Sequence, residues 1–146
     1  MRIAALQAAL DAGLPIDASP LGLRLNAVAS EWRPLLEADA DRAAACVSLG
    51  RLALAAGDPI KARVWFERGR ARDPTDAAAV VAWADFAWRS NERPAALSAL
   101  DALVGARPDD ARGWHALGLM RIRAGLHTEA LPALGRAVEL APDEPR

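Results

Sequence analysis

Three prolines recur at one spacing. Pro74 in ARDPTD, Pro108 in GARPDD and Pro142 in ELAPDEPR each follow the last by 34 residues. A fixed period of this length means a chain assembled from one repeated supersecondary unit, none of which buries its apolar face alone. The three stretches AAACVSLGRLALAAGDPIKARVWFERGRARDPTD, AAAVVAWADFAWRSNERPAALSALDALVGARPDD and ARGWHALGLMRIRAGLHTEALPALGRAVELAPDE superpose without a gap. One reading must therefore serve all three.

Each unit opens with about a dozen residues of helical apolar spacing, such as Cys46, Leu49, Gly50 and Ala53, or Val80, Trp83, Ala84 and Ala87. A breaker follows: AAGDP, RSNERP or RAGLHTE. Gly57 and Gly125 suit the left-handed conformation that ends a helix, and Asp58 suits the cap of the next, with Pro59 at its first position. A second helix carries Ala62, Phe66 and Gly69, or Ala96, Leu100 and Leu103, or Ala130, Leu134 and Ala137 on one face. Small residues there let two antiparallel helices approach, so each unit reads as a helical hairpin. The repeating proline ends the second helix. Asp76, Asp109, Asp110 and Asp143 after it favour the start of the next. Pro132 is the one irregularity, expected in the first turn of its helix or at a slight bend.

Before the repeats, two irregular helices are expected at about 2–12 and 20–38, broken by Pro15, Ser19 and Pro20, with Pro34 bending the second. Residues 21–38 also align as a degenerate second helix, with Trp32 at the aromatic position. The expected organisation is an amino-terminal helical cap, 1–42, and repeats at 43–76, 77–110 and 111–144. MRIAALQAALDAGLPID is interrupted by Gln7 and Asp11 and reads as a helix, not a signal peptide.

At this point the sequence resembles the tetratricopeptide repeat, a family with a 34-residue period and a pattern of Trp, Leu, Gly, Tyr, Ala, aromatic, Ala and Pro. The third unit carries it as Trp114, Leu117, Gly118, Ala130, Leu134, Ala137 and Pro142, and the first as Leu49, Gly50, Gly57, Ala62, Phe66 and Pro74. The second departs most, and the tyrosine position holds Ala53, Ala87 and Arg121. The resemblance implies an all-α, right-handed superhelical solenoid of antiparallel helix pairs whose first helices line a concave groove. Carried over position by position, that groove holds Val47, Arg51 and Leu54, then Val81, Asp85, Trp88 and Arg89, then Arg112, His115, Leu119, Ile122 and Arg123.

Trp, aliphatic and Arg side chains together have the composition of an interaction site. Four Arg stand against one Asp on that face, whereas the whole chain has a formal net charge of −1. The expected ligand is a protein or peptide with apolar anchors and acidic flanks. Trp88 admits two readings, a groove anchor or a residue covered by a neighbouring repeat. Trp32, Trp83 and Trp114 read as core residues, and Trp65 as a partly exposed packing residue. Arg63, Arg68, Arg70 and Arg72 read as a solvated helix face.

No catalytic residues, metal site or cofactor are expected. His115 and His127 belong to no metal or nucleophile motif, and Cys46, the single cysteine, sits where a buried thiol is expected. The near-neutral charge gives no reason for nucleic-acid binding, and no apolar run reaches the roughly 18 residues of a membrane span. One cysteine makes the cytoplasm the default location. Lys61 as the only lysine, among many alanines, hints at a GC-rich bacterial genome.

The expected function is a non-catalytic protein–protein interaction module, an adaptor, scaffold or chaperone-like protein. The rival expectation is the repeat region of a larger bacterial enzyme of sulfotransferase, glycosyltransferase or hydroxylase type, serving substrate recruitment or dimerisation. Leu131, Val138 and Leu140 form an apolar edge on the last unit, where a terminal repeat needs a polar cap. That edge is expected to be covered by downstream chain, a second copy or a partner, and homo-oligomerisation through it is one expected outcome.

Overall fold

The computed structural model describes residues 2–13 and 19–141. Pro15, Pro142, Asp143, Glu144 and Pro145 lie outside the described residues. The described residues form α-helices and no strand: α1 (Arg2–Asp11), α2 (Pro20–Ala38), α3 (Ala43–Ala55), α4 (Pro59–Arg72), α5 (Ala77–Arg89), α6 (Arg93–Ala106), α7 (Ala111–Arg123) and α8 (His127–Leu140). Consecutive helices pack as pairs. Two compact units result, Met1–Asp73 and Pro74–Arg146, so the first hairpin groups with the helices before it.

The same turn closes each hairpin. Gly57, Asn91 and Gly125, one period apart, all have positive φ, at 77°, 65° and 77°. After each of them the next amide reaches back five residues: Asp58 N–H to the Ala53 carbonyl at 2.9 Å, Glu92 to Ala87 and Leu126 to Arg121 both at 2.8 Å. These local closures satisfy carbonyls that the helix end leaves without a partner.

In the first unit, Ser19 caps α2 by accepting the Gly22 N–H at 3.0 Å, and Pro20 is the first helical residue. Pro34 lies inside α2. Leu6, Ala9 and Leu10 of α1, Leu25 and Ala29 of α2, and Leu52 of α3 form one buried cluster, with Val28, Trp32, Leu36 and Ala55 around it. The α3–α4 hairpin closes over glycine: a Cβ on Gly50 would lie 2.7 Å from the Phe66 ring, and one on Gly69 would lie 3.2 Å from Cys46 Cβ. Asp58 caps α4 through the Lys61 N–H at 3.0 Å. Cys46 is fully buried and donates its thiol to the Ala40 carbonyl, 3.3 Å away. Burial raises its pKa, against smaller opposing pulls from Arg68 and Arg72, so it stays a neutral core thiol.

In the second unit, Val80, Trp83, Ala84 and Ala87 of α5 face Ala96, Leu100 and Leu103 of α6 across the hairpin, all buried. Gly113 lets α7 approach α6, since a Cβ there would lie 3.3–3.4 Å from Leu103 and Val104. Arg121 of α7 then bonds both Asp101 of α6, at 2.8 Å, and the Glu129 carbonyl of α8, at 3.1 Å. The helix starts are capped as the acidic positions imply: Asp76 accepts from Ala79 N–H at 2.8 Å and Asp110 from Arg112 N–H at 2.9 Å. Of the two places expected for Pro132, the first turn does not hold. α8 begins at His127, which places the proline in the second turn, inside the helix. It removes the N–H that would reach Thr128, and both residues are exposed, so water can serve that carbonyl.

Candidate partner-binding face

Helical spacing decides which side of α5 and α7 stays open. On α7 the buried residues Gly113, Leu117, Gly118 and Met120 take one side. Arg112, His115, Leu119, Ile122 and Arg123 take the opposite side, and all five are exposed. On α5 the buried side is broader, and Val81, Asp85 and Trp88 remain half-buried with Arg89 exposed. α5 and α7 are in contact, so these nine residues fall on two adjoining helices of one unit. An ion pair crosses between them: Arg123 Nη1 lies 3.1 Å from Asp85 Oδ1.

That pair changes the electrostatics of the face. Arg123 and Asp85 offset each other, and as an exposed pair they add under about 1 kcal/mol to stability. Arg89 and Arg112 make no ion pair with a described residue and carry the remaining positive charge. Leu119 and Ile122, three residues apart on α7, form an exposed apolar patch.

Trp88 is half-buried, and the Arg93 guanidinium stands 5.2 Å from its ring centroid. One ring face is therefore occupied by a cation. Arg93 escapes the sequence pattern because it opens α6, whereas the groove positions were all taken from first helices.

The three remaining positions lie in the first unit, on α3. Val47 is buried, only 6% exposed, and offers a partner almost no surface. Arg51 is ion-paired with Asp11 of α1, and Leu54 is half-buried. α3 is flanked by α1 and α2 as well as α4, which closes much of the side that α7 leaves open.

The other singled-out residues are placed by their partners. Trp114 is half-buried and donates its indole N–H to the Pro108 carbonyl at 2.9 Å. Arg68 lies over Trp65 at 5.4 Å, Arg63 pairs with Glu67 at 3.2 Å, and Arg72 with Asp41 at 3.1 Å. On α8, Leu131 and Val138 are exposed and Leu140 is half-buried. Among the described residues no group of three His, Cys, Asp or Glu side chains is placed to hold a metal ion. No helix there is long and apolar enough to cross a membrane.

The tetratricopeptide repeat family matches residues 81–145, the span that contains most of this face. Among solved structures the chain is similar to MamA, at 23% identity over 79% of this chain and 67% of that one, with a TM-score of 0.59. It is also similar to YrrB, described as a TPR protein with an unusual peptide-binding site. There the identity is 18% over 97% of this chain and 81% of YrrB, with a TM-score of 0.58. A MamA from Desulfovibrio magneticus RS-1 matches at 22% identity over 98% and 75% of the two chains, with a TM-score of 0.56. The chain spans about two thirds of the length of the first MamA structures, 67% and 64%. No curated protein matches it. The resemblance to the tetratricopeptide repeat thus has two separate supports, a family match over 81–145 and a shared fold.

Proposed function

From the tetratricopeptide-repeat fold as premise, we propose that the chain is a protein-interaction module whose α5–α7 face holds an extended segment or helix of a partner. The observation that carries this reading is the exposed pair Leu119 and Ile122 on α7, with Arg112 exposed on the same helix and Arg89 exposed on the adjoining α5. An apolar patch on one of two adjoining helices that also carry uncompensated guanidinium groups suits a segment with apolar anchors and flanking Asp or Glu. Desolvation of the two aliphatic side chains supplies affinity, and the arginines supply selection and steering. The similarity to YrrB, a protein with a peptide-binding site, supports the same use of the fold. Val47 drops out of the proposed face because it is buried, and Arg51 is held by Asp11.

The test is selection from a displayed library of random peptides on the full chain. Selected peptides should combine apolar residues with acidic flanks and bind more weakly as salt is raised. Replacing Leu119 and Ile122 together by Ser should lower their affinity by about tenfold with helicity unchanged. Failure to select any peptide, or equal binding by the Ser variant, would overturn the assignment.

A further inference from the structure

Asp85 is the single carboxylate among the residues of the α5–α7 face, and it stands in a run of neighbours that crosses both helices. On α7, Arg123 is one helical turn beyond the exposed Leu119. Arg123 Nη1 then reaches across to Asp85 Oδ1 at 3.1 Å. On α5, Arg89 is one turn beyond Asp85 and makes no ion pair with a described residue. The apolar side chain, the ion pair and the open guanidinium follow one another from α7 to α5.

The fold gives this pair little to do. The Asp85 and Arg123 side chains are 46% and 52% exposed, and ion pairs so open to water add little to stability. One period earlier the same two positions hold Arg51 and Arg89, both cations, so the repeat itself calls for no acid there. The consequence of Asp85 falls instead on whatever approaches the face. Its carboxylate already sits on the guanidinium that an acidic group of a partner would seek. Such a group must displace Asp85 and then lie beside a second negative charge, which like-charge repulsion opposes.

We propose that Asp85 is a specificity-determining residue of the partner-binding face: it withholds Arg123 from acidic groups and leaves them to Arg89 and Arg112. The inference rests on the partner-binding reading above and narrows the partner it implies. The favoured segment has a limited number of acidic residues, and a neutral or basic residue where it crosses the Arg123–Asp85 pair. A uniformly acidic segment is selected against, since specificity is set as much by what a face repels as by what it attracts.

Peptides selected from a displayed random library on the full chain are the probe, each made also in a version with its Asp and Glu changed to Asn and Gln. Asp85→Asn should tighten the acidic version about fivefold at low salt, an effect that fades as salt is raised, and leave the neutral version where it was. Arg123→Gln should weaken the acidic version. Opposite signs are the decisive reading, because a pair that served only to hold α5 to α7 would give the same sign when broken from either side. If Asp85→Asn shifts the acidic and neutral versions alike, or neither, while the Leu119 and Ile122 to Ser variant still loses binding, the role of Asp85 is overturned and the face stands. Equal binding by that Ser variant, or failure to select any peptide, would overturn both.

Discussion

Gly50 and Gly118 stand at the closest approach of their hairpins. A Cβ on Gly118 would fall 2.6 Å from Leu134 Cγ and Cδ2 and 3.3 Å from its backbone nitrogen, while one on Gly50 would strike the flat Phe66 ring. The second hairpin has Ala84 and Leu100 at these places, both buried, so a methyl is tolerated where the opposing side chain is leucine at a wider approach. Gly50→Ala should therefore destabilise the chain by about 1–3 kcal/mol through overpacking. The double change with Phe66→Leu should cost less than the sum of the two single changes. Urea denaturation of the four proteins checks this cycle, and additive losses would disprove the coupling. Asn91 is the residue-scale exception among the turns, a side chain at φ 65° where the other hairpins have glycine. Asn91→Ala should cost about 1 kcal/mol, while Asn91→Gly should be at least as stable as the wild type, both read from thermal midpoints. RSNERP reads as a breaker from its composition; the period then identifies Asn91 as the left-handed residue, because it falls one repeat from Gly57 and Gly125.

Caps and prolines decide where the helices begin. Asp76 has one oxygen on the Ala79 N–H, and Asp76→Ala should cost about 1 kcal/mol by freeing that donor at the start of α5. Asp58 has a pH signature as well. The Lys61 backbone N–H, aided by the Lys61 side chain and the Ile60 N–H, outweighs a smaller burial effect and holds its carboxyl below the ordinary value of 3.8. A carboxyl that gives up its proton more readily in the folded chain stabilises the fold above the ordinary value. That contribution is lost as pH falls through the lowered one. Asp58→Asn keeps a capping oxygen without the charge. It should be less stable than the wild type at about pH 7 and differ little from it at about pH 2, compared by urea midpoints. A gap that does not change with pH would show that the charge contributes nothing. The caps were legible because Asp at these positions has one common local use. Pro132 left two places open, a first turn or a bend, for the converse reason: proline alone says that a donor is missing, while the extent of α8 on either side of it depends on its packing against α7.

At the scale of the molecule, the 34-residue period made the hairpins and the phase of their faces legible, since phase is all that helical spacing encodes. The period could not show that Val47 is buried or that Arg51 is held by Asp11, because α1 and α2 lie outside the repeat. Nor could a count of charges show that Arg123 and Asp85 offset each other across two helices 38 residues apart in sequence. Stability in such an architecture is expected to follow hairpins and their neighbour contacts, without one indivisible core. A strain placed at one hairpin should then spread unevenly. In Gly118→Ala, hydrogen exchange should accelerate most in α7 and α8, which share the overpacked contact, and less in α6, reached through Gly113 and Arg121, and in α5, reached through the Arg123–Asp85 pair. In Gly50→Ala the largest acceleration should fall in α3 and α4. A single all-or-none core would instead lose protection equally in every helix, and that outcome would refute the hairpin-by-hairpin account of stability.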